Sequence, residues 1–354
     1  MRTEVIQRHA APVPRYTSYP TANHFQPTIG ADAHEAWLEA LASDASLSLY
    51  VHIPFCRSLC WYCACTTKLT QREAPVLDYL DVLEAEIEDV AIRLAGSRQR
   101  VTHIHWGGGS PSLLSPRAIE RLGAALDQRF QLASGAEIAV EIDPRDATPA
   151  KADAFARIGV NRISIGVQDF HQDVQKAIGR LQSFETTART VDMVRERGIG
   201  SVNIDLVYGL PHQTVDTVTR TMEQVLALRP DRIAIFGYAH LPQRITRQRL
   251  IDETALPDAA ARFRQSQKLA SLATEAGYKA IGLDHFAHPG DALAAAGVQR
   301  NFQGYTTDRA DALIGLGASA ISRFPDGYAQ NAVAVPEYTR RIRSGSLATR
   351  PTRT

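Results

Sequence analysis

The chain has 354 residues, 44% hydrophobic and 22% charged, with a formal net charge of +1. A balance this close to neutral gives no support to a nucleic-acid or membrane-surface role, and the length suits one large domain or two smaller ones. No apolar stretch approaches the roughly 18 residues that suggest a membrane span. The opening MRTEVIQRHAAPVPRYTSYPTANHF lacks the apolar run of a secretory signal, so a cytoplasmic protein is expected, monomeric and without nucleic-acid or membrane partners.

Residues 1–45 read as an irregular arm. Short β-branched runs then recur: LSLYVHI (47–53), VTHIHW (101–106), EIAVEID (137–143), RISIGVQ (162–168), VNIDLVYG (202–209) and RIAIFGYA (232–239). They read as apolar nearly throughout, as expected of strands buried on both faces. Helical patterns lie between them. Over 76–94, Val76, Leu80, Leu83, Ile87, Val90 and Leu94 form one stripe, Asp81, Glu84 and Glu88 face water, and Gly96 supplies a stop. Over 215–225, Val215, Val218, Met222 and Val225 repeat the pattern, and Pro230 ends it. This alternation predicts right-handed crossovers and a parallel sheet; six units in register favour an α/β partial (β/α)6 barrel over a flat doubly wound sheet. A helical stretch at 257–276 and the strand-like runs YKAIGLDHF (278–286) and ALIGLGASAI (312–321) follow. The expected organisation is an arm at 1–45, a barrel at 46–242, its continuation at 243–335, and a loosely held polar tail at 336–354 containing Arg340, Arg341, Arg343 and Arg350.

All four cysteines, Cys56, Cys60, Cys63 and Cys65, fall within ten residues. In a reducing compartment such a cluster reads as metal ligands or catalytic groups rather than disulfides. Structural zinc usually takes two separated pairs, and no second pair exists downstream. A 4Fe-4S cluster fits better. If Cys56, Cys60 and Cys63 hold three irons, the fourth stays open to a ligand. Cys65 either closes the site or stands apart from it; an extended dipeptide from Cys63 argues against its reaching the far corner. Parallel α/β barrels place their chemistry at the C-terminal ends of the strands. There the sequence puts the cysteine loop, the run Gly107–Gly108–Gly109–Ser110, Glu141, Gln168, Asp205 and Ala239. Three glycines exceed what a turn needs and let backbone approach a ligand. Ser112 and the lack of a following Lys exclude a dinucleotide fingerprint and a P-loop.

CxxxCxxC with an aromatic, Tyr62, before the third cysteine resembles the mark of radical S-adenosylmethionine (SAM) enzymes. The fuller set is YVHIPFCxxxCxYCxC with PRYTSYPTA (14–22), HWGGGSP (105–111), GVQDF (166–170), NIDLVYGLP (203–211) and RNFQGYTT (300–307). It resembles the oxygen-independent coproporphyrinogen III oxidases over about residues 14–330. The resemblance implies a partial barrel of the radical SAM type and a 4Fe-4S cluster on Cys56, Cys60 and Cys63. It implies contacts of Tyr50, Gly108, Glu141 and Ile321 to the SAM on the open iron. It implies a second SAM held by Tyr62, Gly109, Ser110, Gln168, Arg180, Asp205 and Ala239, and a catalytic role for Cys65. The implied reaction turns two propionates of coproporphyrinogen III into vinyl groups through a 5′-deoxyadenosyl radical, with an electron donor such as flavodoxin or ferredoxin. Arg or Lys near the pocket mouth should hold the substrate carboxylates. Tyr62 for Phe, Ser110 for Thr and Ala64 for Gly depart from the family pattern and remove no group the chemistry needs. Family members also carry a helical C-terminal domain, which the final stretch RRIRSGSLATRPTRT has too few apolar residues to build. A heme-binding chaperone related to these enzymes is the competing reading. Such relatives typically lack both the fourth cysteine and the PRYTSYPT arm.

Overall fold

Six strands run parallel in chain order: β1 (Ser46–Ile53), β2 (Arg100–Gly108), β3 (Leu132–Ile142), β4 (Arg162–Gln168), β5 (Ser201–Tyr208) and β6 (Arg232–Gly237). The structure, a computed structural model, describes residues 5, 8, 29–94, 98–295, 297–301 and 304–349. The motif at 14–22, the stop at Gly96 and residues 350–354 of the expected tail lie outside them. Helices α1 (Ala31–Glu39), α2 (Ala74–Arg93), α3 (Pro116–Arg129), α4 (Pro149–Arg157), α5 (Gln172–Ala177), α6 (Phe184–Arg195) and α7 (Val215–Ala227) precede or link the strands. Four of these starts are capped by a hydroxyl: Ser115, Thr148, Ser183 and Thr214 each accept a backbone N–H from the first turn. Each cap fixes where a loop stops, and hence how far it can reach over the strand ends.

After α8 (Ala259–Glu275) come β7 (Lys279–Ile281), β8 (His285–Ala287), β9 (Ala312–Leu316), β10 (Ile321–Phe324) and β11 (Gly327–Gln330). The sheet order is β11-β10-β9-β1-β2-β3-β4-β5-β6-β8-β7, an open arrangement consistent with a partial barrel. β9 pairs parallel with β1, with Tyr50 opposite Gly315, so a seventh parallel strand lies outside the six expected units. Antiparallel strands finish both edges.

The expectation of strands apolar on both faces is corrected by β4 and β5. Ile163, Ile165, Val202 and Ile204 are fully buried toward the helices. Between them Ser164, Gly166, Asn203 and Asp205 are only half-buried, and they face the barrel interior. A period of two with a polar inner face means the interior holds a ligand site, not a packed core.

Two expected irregular segments carry helices. In the arm, α1 buries His34 and Leu38. In the tail, α9 (Val335–Arg343) carries Pro336 in its first turn and buries Tyr338 and Ile342, while its arginines occupy the other face. Leu347 and Ala348 are buried beyond it. A short helix needs one apolar residue per turn to dock, and the single i,i+4 pair Tyr338 and Ile342 suffices where the Glu86 carboxylate accepts the Tyr338 hydroxyl.

Candidate active site

β1 ends in a loop fastened at both ends. Phe55–Cys56 pairs parallel with Lys68–Leu69; the Lys68 N–H donates to Pro54 O at 2.8 Å and the Thr70 N–H to Cys56 O at 3.0 Å. Within the loop the Cys63 N–H donates to Cys60 O at 3.3 Å and the Cys65 N–H to Cys63 Sγ at 3.4 Å. Gln248, fully buried, donates from one amide to Tyr62 O (2.8 Å) and Ala239 O (3.1 Å), joining the cysteine loop to the end of β6. Cys60 is buried, Cys56 and Cys63 are half-buried, and Cys65 is exposed. Burial first, then the neighbouring Cys63 and Cys60, push the Cys56 thiol up to about 12. The hydrogen bond with Cys65 brings Cys63 down to about 6.

The strand ends facing this loop carry carboxylates. Glu141 on β3 accepts the Gly108 N–H at 3.2 Å and contacts His105 Nε2 at 3.1 Å. Gly108 has φ +110°, and a Cβ there would sit 2.5 Å from the His52 ring. A Cβ on Gly107 would lie 2.8 Å from Glu141 Oε1, so the bare backbone is what lets the carboxylate approach. Asp205 accepts from Asn203 Nδ2 (2.8 Å) and Ser164 Oγ (3.1 Å); burial pushes its carboxyl up against the Asn203 bond. Asp143, two residues past Glu141, holds Arg145 (2.6 Å) and Arg180 (3.2 Å). Burial would raise its carboxyl, but the two guanidiniums prevail and hold it at about 2. Both guanidiniums also reach Cys60 Sγ, Arg180 at 3.4 Å and Arg145 at 3.7 Å.

One open cavity of about 430 Å³ is lined by all four cysteines and by Tyr62, Gly108, Gly109, Ser110, Glu141, Gln168, Arg180, Asp205 and Ala239. Tyr50 and Ile321 are not in the lining and stand together to one side. Tyr50 lies opposite Gly315, where a Cβ would meet Ile321 O at 2.6 Å. The Tyr50 ring stacks on His105 at 5.9 Å.

The chain matches the Radical SAM superfamily over residues 50–225. It is 50% identical to the oxygen-independent coproporphyrinogen III oxidase of Paracoccus denitrificans, over 96% of this chain and 76% of that protein. The enzyme of the same name from Bradyrhizobium diazoefficiens is also 50% identical, over 95% of this chain and 76% of the relative. The chain belongs to the oxygen-independent coproporphyrinogen III oxidase family. The solved Escherichia coli coproporphyrinogen III oxidase, a radical SAM enzyme, superposes with a TM-score of 0.90 at 41% identity, covering 94% of this chain and 77% of that one. The fold is therefore the radical SAM partial barrel.

The thiols fit the cluster such a family uses. Among the described residues no three His, Cys, Asp or Glu side chains converge to hold one metal ion. A structural zinc needs that convergence; a four-iron cube does not, because each thiolate takes a separate iron. The upward push on Cys56 by its sulfur neighbours is a repulsion that a cationic iron core relieves. The sequence reading left out Asp143, Arg145, Arg247, Gln248, His52 and His105. The string EIDPRD, running past Glu141 off a strand end, was a usable signal for the first two. Nothing in the sequence marks Arg247 or Gln248, which sit in a short 3-10 turn, Thr246–Leu250.

Proposed function

We propose that this oxidase-family chain removes the carboxyls of two propionates of coproporphyrinogen III without oxygen, leaving vinyl groups and giving protoporphyrinogen IX. The observation that carries this reading is one cavity shared by four cysteines and by Glu141, Gln168 and Asp205 from three successive strands. When bound, a 4Fe-4S cluster and SAM supply the 5′-deoxyadenosyl radical that takes a hydrogen atom no side-chain base can remove. The chain's own work is to hold, orient and exclude water. Cys56, Cys60 and Cys63 hold the cluster. Glu141 and Gly108, with Tyr50 and Ile321 beside them, receive the SAM bound to it. Tyr62, Gly109, Ser110, Gln168, Arg180, Asp205 and Ala239 receive a second SAM. Cys65, exposed beside Cys63, serves turnover and not ligation. The donor is a flavodoxin or ferredoxin, and the enzyme works as a cytoplasmic monomer; no helix among the described residues is long and apolar enough to cross a membrane.

Anaerobic incubation of the reconstituted protein with dithionite, SAM and coproporphyrinogen III tests the reading. Protoporphyrinogen IX and methionine are expected; a heme Soret band on titration with no product would sink it. Cys56→Ala, Cys60→Ala and Cys63→Ala are expected to lose iron. Cys65→Ala should keep iron and lose decarboxylation; iron loss there would instead mean four-thiolate ligation.

A further inference from the structure

Three cations line the cavity: Arg145, Arg180 and Arg247. Two are already engaged. Arg145 and Arg180 share the Asp143 carboxylate, and each points at Cys60 Sγ. Arg180 also donates to Gly166 O at 2.6 Å and Gln182 Oε1 at 2.9 Å. Arg247 differs. Its guanidinium donates to two neutral oxygens, Thr67 Oγ1 at 3.0 Å and Cys65 O at 3.3 Å. Among the described residues no carboxylate pairs with it. A guanidinium has five N–H donors, so about three remain for a ligand, in a fork that suits a carboxylate.

The turn that carries it is rigid. Gln248, next in sequence, is fully buried and bonded to Tyr62 O and Ala239 O, and its Oε1 accepts the Leu241 N–H at 2.5 Å. One amide thus pins the 3-10 turn to the cysteine loop and to the end of β6. Arg247 is half-buried at the cavity wall, held over the Cys65 backbone. A half-buried cation without a carboxylate partner gains from an anionic ligand, and the nearest anionic groups of its own chain are the Cys56 and Cys63 sulfurs.

We propose that Arg247 grips a propionate carboxylate of the substrate and fixes the ring edge beside Cys65. This rests on the reading of the chain as a coproporphyrinogen III oxidase and identifies one residue that recognises the substrate's carboxylates. Arg145 and Arg180 already share the Asp143 carboxylate, and Arg180 is one of the residues proposed for the second SAM, so neither is left for the substrate.

The test uses reconstituted holoenzyme with SAM and without reductant, so that coproporphyrinogen III binds but does not turn over. Arg247→Gln is expected to weaken substrate binding by about ten- to a hundredfold, the loss of one charge-assisted pair. Arg247→Lys keeps the charge but loses the fork, and should recover part of that loss. Iron content and SAM affinity should stay at wild-type values in both, and because the guanidinium also lies within electrostatic reach of Cys56 and Cys63, the cluster potential is measured alongside. The salt dependence of substrate binding should flatten in Arg247→Gln and persist in Arg247→Lys. An unchanged substrate Kd in Arg247→Gln overturns the proposal. So does a shifted cluster potential or SAM affinity with an unchanged substrate Kd, which would assign the guanidinium to those groups. If Arg247→Gln fails to fold, the Lys variant decides alone: equal substrate affinity and salt slope with no loss from the missing fork overturns the claim. Failure of the wild-type protein to bind or decarboxylate coproporphyrinogen III would refute the functional reading itself, whereas a normal wild type beside an unaltered Gln variant refutes only the role of Arg247.

Discussion

Glu86 on α2 and Glu141 near the end of β3 each accept a glycine N–H at the end of a parallel strand, from Gly317 at 2.6 Å and Gly108 at 3.2 Å. There the likeness stops. Glu86 also accepts from Asn331 Nδ2 at 2.6 Å and the Tyr338 hydroxyl at 2.7 Å, and the residue is 2% exposed. Among the described residues Glu141 has only His105 besides, and its side chain is 41% exposed to the cavity. One carboxylate has spent its lone pairs on its own chain, tying α2 to the turn after β9 and to α9. The other has kept acceptor capacity, in a wall beside sulfur. Saturation marks a structural carboxylate, and incompleteness marks one kept for a ligand.

This contrast can be broken by experiment. Removing Glu86 strands three buried donors, so Glu86→Ala should cost about 3–5 kcal/mol of unfolding free energy in urea. Glu141→Ala should cost under about 1 kcal/mol in the same titration; equal losses would erase the distinction. Next comes chemistry. Glu141→Gln should retain iron but lower kcat/KM about a hundredfold, roughly 2.7 kcal/mol of transition-state binding, read as 5′-deoxyadenosine formed. Glu86→Gln should leave the specific activity of the folded fraction near wild type.

The pH dependence is the third measure. Burial outweighs the three donors and pushes the Glu86 carboxyl up to about 7 from the ordinary 4.5. Its folded state therefore binds the proton more tightly than the unfolded state. The stabilisation from this group is complete below about pH 4.5 and is lost as pH rises through 7. Unfolding free energy should fall by on the order of 1–3 kcal/mol between pH 5 and 8, and Glu86→Gln should flatten that slope. A slope unchanged in the Gln variant would mean the decline belongs elsewhere. The smallest effect is expected at Gly107. A Cβ there meets Glu141 Oε1 at 2.8 Å. Gly107→Ala should cost only about 1 kcal/mol of stability, yet weaken SAM binding measurably by calorimetry.

The sequence made the cysteine loop plain, because four thiols in ten residues have no bland reading in a reducing compartment. The strands were plain too, from their β-branched runs. Their inner polar face was missed: in RISIGVQ and VNIDLVYG the Ile and Val residues dominate the eye, while Ser164, Asn203 and Asp205 keep the period of two. Glu86 was hidden for the opposite reason. It sits in an acidic helix beside Glu84 and Glu88, and only the arrival of Asn331 and Tyr338, about 250 residues later, makes it an interior group. The tail misled through its arginines, which occupy the face of α9 away from Tyr338 and Ile342. Arg247 carried no local signal at all. Its meaning depends on the Cys65 carbonyl, 182 residues distant.

β1, the strand that launches the cysteine loop, lies between β2 and β9. Its first residue, Ser46, is bonded through N and Oγ to Asp311, 265 positions along the chain. During synthesis, β1 therefore waits with one side bare until nearly the whole barrel has emerged from the ribosome. Closure over so long a loop is slow. In refolding followed by pulsed hydrogen exchange, amides of Ser48 and Tyr50, on the β9 side of β1, should gain protection after those of Ile163 and Ile204. A nascent chain offered iron before that moment presents its thiols on a loop whose parent strand is paired on one side alone.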